Sequence, residues 1–150
     1  MARNFFTLTT SVEVALVAAT AKTVLHLLAG TGVRVAIQAI TVSFDGISNI
    51  EPGVLIRLVR QTTAPTGTAR NPLQKDDDVA TALIATGLEN VSVEPTDSDI
   101  VYTWHIHPQA GAQLPLPLPG EIIVAAAARL GLKITADNAV NCLATIEGEE

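Results

Sequence analysis

Asp99 to Gln109 reads DIVYTWHIHPQ and holds the chain's only Trp, its only Tyr and two of its three His residues. Its alternation is that of one β-strand. In extended backbone, successive side chains face opposite ways, so Ile100, Tyr102, Trp104 and Ile106 line one face and Val101, Thr103, His105 and His107 the other. The aromatic face is the expected core. The His pair is then expected outside it, on solvent or on a partner.

The same reading extends outward from this strand. Turn signals recur at Gly30-Thr31-Gly32, Asp45-Gly46, Glu51-Pro52-Gly53, Ala64-Pro65-Thr66-Gly67, Asn71-Pro72, Glu94-Pro95-Thr96-Asp97, Pro119-Gly120, Gly131 and Asp137-Asn138. Between them lie short runs rich in Val, Ile, Leu and Thr, the pattern of an all-β fold. Strands are expected near residues 5–9, 12–17, 23–28, 33–44, 54–61, 91–94, 100–107, 122–126, 130–135 and 140–147. Two packed antiparallel sheets are their natural closure, giving one β-sandwich domain over residues 1–150, jelly-roll-like or a related Greek key.

Three segments admit helix. Residues 12–29 place Val14, Val17, Ala21, Val24 and Leu28 on one helical stripe, and residues 122–130 contain four consecutive alanines. Strand is preferred for both, because Val and Thr lose rotamer freedom in a helix and Gly131 breaks the second run. Residues 80–87 suit a short helix as well as a strand. The Thr-, Pro-, Gly- and Asp-rich stretch from Thr62 to Val79 reads as a long loop, of the kind that is functional or ordered by a partner.

Composition bounds the function. The chain is 48% hydrophobic but only 3% aromatic, so its core must be aliphatic. Charged residues make up 16%, against roughly 25% in an average soluble domain. So little charge suggests that part of the surface is covered by another copy or another protein. A net charge of −6 with nine scattered basic residues argues against nucleic acid. No signal peptide and no apolar run of spanning length is visible, so neither export nor a membrane is expected. Cys142, the single cysteine, sits among Val140, Ala144 and Ile146 at spacing two and reads as a buried thiol.

The chemistry-bearing residues are sparse. His105 and His107 converge on one strand face, as in the metal sites of cupin-like enzymes, and His26 is the only other imidazole. No acid follows His107 until Glu121, so a cupin-like metalloenzyme is the weaker alternative. Asp76-Asp77-Asp78 lacks the alternate spacing of a calcium loop and reads as a solvated turn. No nucleophile motif and no phosphate cradle is present, and neither catalytic residues nor a cofactor is expected.

Two segments point to an interface. In VLIRLVR, residues 54–60, Val54, Ile56 and Leu58 form one face, while Leu55 and Val59 flank Arg57 on the other. A strand apolar on both sides is covered on both sides, by a loop of its own or by a subunit. In QLPLPLP, residues 113–119, alternate prolines forbid a central ladder position, so Leu114, Leu116 and Leu118 project from an extended edge or arm. The candidate interface is therefore Leu55, Arg57, Val59, His105, His107, Leu114, Leu116 and Leu118.

The succession SFDG at 43–46, LIRLVRQTTA at 55–64, WHIHPQAG at 104–111, PLPGE at 117–121 and RLGLKITADNAVNCLATIEGEE from Arg129 resembles the head decoration, or cement, proteins of tailed bacteriophages. The resemblance implies a non-enzymatic virion protein, made in the host cytoplasm, that sits on the outer capsid, commonly as a homotrimer, and clamps the major capsid protein. Ala125–Ala128 stands where such relatives suggest a glycine-rich turn. The same architecture would also serve a phage tail or fibre module, or a carbohydrate-binding sandwich.

Overall fold

The computed structural model describes residues 4–47, 52–76 and 81–150, and among these there is no helix. In chain order the strands are β1 (Phe5–Thr9), β2 (Val14–Leu16), β3 (Lys22–Leu28), β4 (Val35–Phe44), β5 (Val54–Gln61), β6 (Thr66–Ala69), β7 (Leu73–Gln74), β8 (Thr86–Val93), β9 (Asp97–Ile106), β10 (Gly111–Pro115), β11 (Ile122–Val124), β12 (Arg129–Thr135) and β13 (Val140–Glu149). They form two antiparallel sheets. The first has the order β10-β4-β13-β1-β7, with β11 also on β4 and β2 on β13; the second has the order β6-β8-β3-β12-β5-β9.

The sheets close on an aliphatic core. Leu8, Ile146 and Ile40 pair across three strands of the first sheet and are fully buried, as are Leu25, Leu132 and Leu58 across the second. Among the described residues Phe6 is the only aromatic ring wholly inside. Leu and Ile branches fill the rest, which suits a chain so poor in aromatics. The expected sandwich is therefore present.

Where helix competed with strand, left-handed turns cut the sequence into short strands. Ala19, at φ 55°, closes the turn between β2 and β3, and Ala127, at φ 59°, closes the one between β11 and β12. In the second turn Ala128 N–H donates to Ala125 O at 3.0 Å. Residues 81–85 form neither helix nor strand and lead into β8, held by the Glu150 carboxylate, which accepts from Ile84 and Ala85 N–H at 2.8 and 2.7 Å. The expected loop from Thr62 carries β6 and β7. Asp77, Asp78, Val79 and Ala80 lie outside the described residues, as do residues 1–3 and 48–51.

The face expected of β9 needs correction. Trp104 and Ile106 pack against the core, yet Ile100 and Tyr102 are 55% and 42% exposed. β9 is the outermost strand of its sheet, and its register on β5 slips between Leu58 and Val59 and again before Gln61. An extra residue on one strand reverses the facing of the residues beyond it. Val101 consequently takes the inward place, and Ile100 pairs with Val59 on the outer face.

Two connections cross the outside of the second sheet. Thr62–Pro65 leads from β5, the fifth strand in the order, to β6, the first; Glu94–Thr96 leads from β8, the second, to β9, the sixth. They run side by side, Thr62 N–H donating to Thr96 O at 2.9 Å and Thr96 N–H to Thr63 Oγ1 at 2.8 Å. A polar staple holds them down. Glu94 accepts from Thr23 N–H and Oγ1 at 2.7 and 2.6 Å, and Lys133 Nζ reaches Asp97 at 2.7 Å and Glu94 at 3.4 Å. Gln61 Nε2 donates to Thr23 Oγ1 and Asp97 Oδ1. Its side chain lies flat over Gly131, where a Cβ would come within 2.6 Å of three of its atoms.

This crossing covers the outer side of β5. Val59 is 1% exposed although it points away from the core, whereas Arg57, two residues back, is exposed. We expect Val59→Asp to destabilise the fold by about 3 kcal/mol or more, because it buries an unpaired carboxylate. Arg57→Asp should stay within about 0.5 kcal/mol of the parent. Urea unfolding midpoints check both.

Candidate functional site

The eight candidate interface residues divide by position. β9 and β10 are the outermost strands of the two sheets and are joined by the short 107–110 turn, so both edges lie on the same side of the sandwich. On that side His105 pairs with the half-buried Leu55, and Arg57 with Thr103. His107 follows in the turn, its Nδ1 accepting from Gln109 N–H at 3.2 Å. The proline-rich segment lays its leucines on its own body. Leu114 pairs with Ile40 against the core, and Leu116 is 7% exposed, held by its N–H on Gln38 O at 2.7 Å. Leu118 stands 66% exposed beyond them, and Val59 is under the crossing.

The two edges differ in how open they are to another strand. β10 ends in Pro115, followed by Pro117 and Pro119, which lack the N–H that a ladder requires. β9 contains no Pro and no Lys and exposes Ile100 and Tyr102, the Tyr102 ring standing edge-on to Trp104 at 5.7 Å and 76°. Prolines and lysines are what usually guard an exposed edge. β9 is guarded by its register shifts and, at its start, by the Asp97 and Asp99 carboxylates.

The outer face of the first sheet is a surface that no sequence motif singled out. Three neighbouring rows cross it: Gly111–Ser43–Leu143, then Gln113–Thr41–Thr145–Thr9, then Pro115–Ala39–Glu147–Thr7–Leu73. Glu147 is the one charged residue in these rows, and Lys75 Nζ pairs with it at 2.8 Å. Thr145 Oγ1 donates to Thr9 Oγ1 at 2.9 Å, and Leu143 and Leu73 are 42% and 57% exposed. A face four strands wide with hydroxyls, short side chains and no net charge loses little on being taken out of water. The available signal was the alternation Thr7-Leu8-Thr9, Thr41-Val42-Ser43 and Leu143-Ala144-Thr145.

The three imidazoles are not brought together. His26 lies on β3, three strands from β9; at about 4.8 Å per strand that is roughly 14 Å sideways, before the offset along the strands to His105 is added. Among the described residues no group of three His, Cys, Asp or Glu side chains is placed to hold a metal ion. Cys142 is 1% exposed, and burial pushes its thiol up to about 12, which keeps it protonated and unreactive at neutral pH. Among the described residues no helix is long and apolar enough to cross a membrane.

His26 has a different setting. It is 3% exposed on the outer face of the second sheet, pairs with Gly131 and Leu88, and lines a cavity of about 230 Å³ under the crossing. Burial, and then the neighbouring Arg129 charge, lower its pKa from 6.5 to about 4. No family model, no curated protein and no solved structure matches this chain.

The His26 shift has a consequence for stability. Between pH 6.5 and about 4 the unfolded chain takes up a proton that the folded chain refuses. Its contribution is thus fully present above pH 6.5 and falls as the pH drops towards about 4. Over that window we expect a loss of about 3 kcal/mol from this group alone. His26→Phe should remove that part of the slope, measured as urea midpoints at about pH 7 and about pH 4.5 for both proteins.

Proposed function

We propose that this chain is a non-enzymatic structural protein of a virion, a jelly-roll-like decoration protein that associates with copies of itself and seats on the outer capsid. The observation that carries the reading is the outer face of the first sheet, where Thr9, Thr41, Thr145 and Gln113 form one uncharged row, Leu143 and Leu73 stand exposed beside it, and Glu147 is neutralised by Lys75. That economy of charge is expected of a surface that meets another protein in many copies. The open β9 edge, with Ile100 and Tyr102 exposed, supports self-association on the neighbouring side.

The sequence resemblance favours a trimer and the major capsid protein as the seat. The mechanism is additive. Each copy contributes a modest contact free energy, and repetition over a lattice turns it into resistance to internal pressure.

Thr41→Arg combined with Thr145→Arg places two unpaired cations on this face. We expect the double variant to fold with its stability within about 1 kcal/mol of the parent, since both sites are partly solvated. It should fail to co-sediment with capsids assembled from the major capsid protein of the same virus, whereas the parent co-sediments at a fixed ratio. Equal binding by parent and variant, or none by either, contradicts the reading.

A further inference from the structure

Buried polar atoms in folded proteins find partners, so a cluster that does not marks a place where something else belongs. Among the described residues, the buried side-chain polar atoms without a partner are Asn4 Oδ1 and four others: His26 Nδ1 and Nε2, Gln61 Oε1 and Arg129 Nε. These four belong to one patch. Arg129 pairs directly with Gln61 on one side and Leu28 on the other, and His26 pairs with Gly131, two residues along β12 from Arg129. His26 and Arg129 both line the cavity under the Thr62–Pro65 crossing.

The lining sets the chemistry. Leu28, Leu88, Pro65 and Ala69 supply apolar wall, Arg129 is the one cation, and no carboxylate is among the lining residues. A guanidinium offers a planar fork of donors that fits a carboxylate. The size fits a small molecule. A cavity of about 150 Å³ is known to take benzene, so about 230 Å³ has room for such a ring with a carboxyl group attached.

We propose that this pocket binds a small organic carboxylate, its carboxyl group on the Arg129 guanidinium and its apolar body against Leu28, Leu88 and Pro65, with the His26 ring in the wall beside it. The site lies on the second sheet, away from the face that carries the proposed capsid contact, and it goes beyond that reading. Bound ligand would fill the space between sheet and crossing and so tie Thr62–Pro65 more firmly to the sheet.

Benzoate and hexanoate are the probes, each titrated into the full chain at neutral pH by calorimetry, with the His26 ring nitrogens followed by NMR. A saturable response to either, with His26 resonances moving at the same concentrations, is the expected result. Benzyl alcohol, of similar size but uncharged, should bind at least about tenfold more weakly, and Arg129→Gln should weaken carboxylate binding roughly ten- to a hundredfold. Arg129→Lys, which keeps the charge and lies on the same partly exposed position, should retain part of the affinity. No response to either carboxylate overturns the proposal. So does binding that is unchanged in Arg129→Gln and leaves His26 unmoved.

Discussion

The second sheet has to be covered twice, and most of the molecule depends on that. β5, β12 and β3 carry buried residues on both faces: Leu58, Leu132 and Leu25 inside, Val59, Gly131 and His26 outside. A sandwich partner covers only one face. The other is closed by the paired connections Thr62–Pro65 and Glu94–Thr96, and these stay in place because Glu94, Thr23, Gln61, Asp97 and Lys133 bond to one another across the outside of the sheet. Gly131 belongs to the same device, since the Gln61 amide can lie flat only where no Cβ intervenes. The Asp97 and Glu94 carboxylates hold the Lys133 ammonium, raising its pKa against the opposing effect of burial, so the staple stays charged across the neutral range.

One consequence is a division of labour between the two sheets. The second spends its outer face on its own connections and leaves a partly open pocket beside them. The first is left bare, and its bare side is built of Thr, Ser, Ala and Gln in register across β10, β4, β13 and β1. Beneath that face the β-ladder is backed by Leu8, Ile146 and Ile40, all fully buried, which keeps the surface rigid. A rigid plane whose one row charge, Glu147, is paired with Lys75 binds with little ordering cost.

Much of the fold was legible in the residues. The strands at Phe5–Thr9 and Val54–Gln61 have the boundaries that their alternation predicts, and both apolar faces of VLIRLVR announced a second cover. The parts that escaped have physical reasons. β6 and β7, TGTA and LQ, are short strands at sheet edges whose pairing comes from their neighbours and not from apolar periodicity, while the edge expected at residues 113–119 is present in part as β10. The facing of Ile100 depends on register shifts that a period of two cannot contain, whereas Tyr102 keeps its register opposite Leu58 and is exposed on the outermost strand. The eight interface candidates came from apolar excess, which located Leu55 and Leu118 on the surface but also selected Val59 and Leu116, whose apolar surface the chain itself covers. The threonine face was missed for the converse reason: its residues are polar and carry no motif.

The threonine-rich side of the seven-stranded sheet is the side proposed to meet another protein. A cryo-electron microscopy reconstruction of capsids bearing this protein tests it most directly. The account predicts density for the chain on the outer shell with Thr9, Thr41 and Thr145 turned towards the capsid. A chain seated by its six-stranded sheet, or found only in the tail, would contradict it.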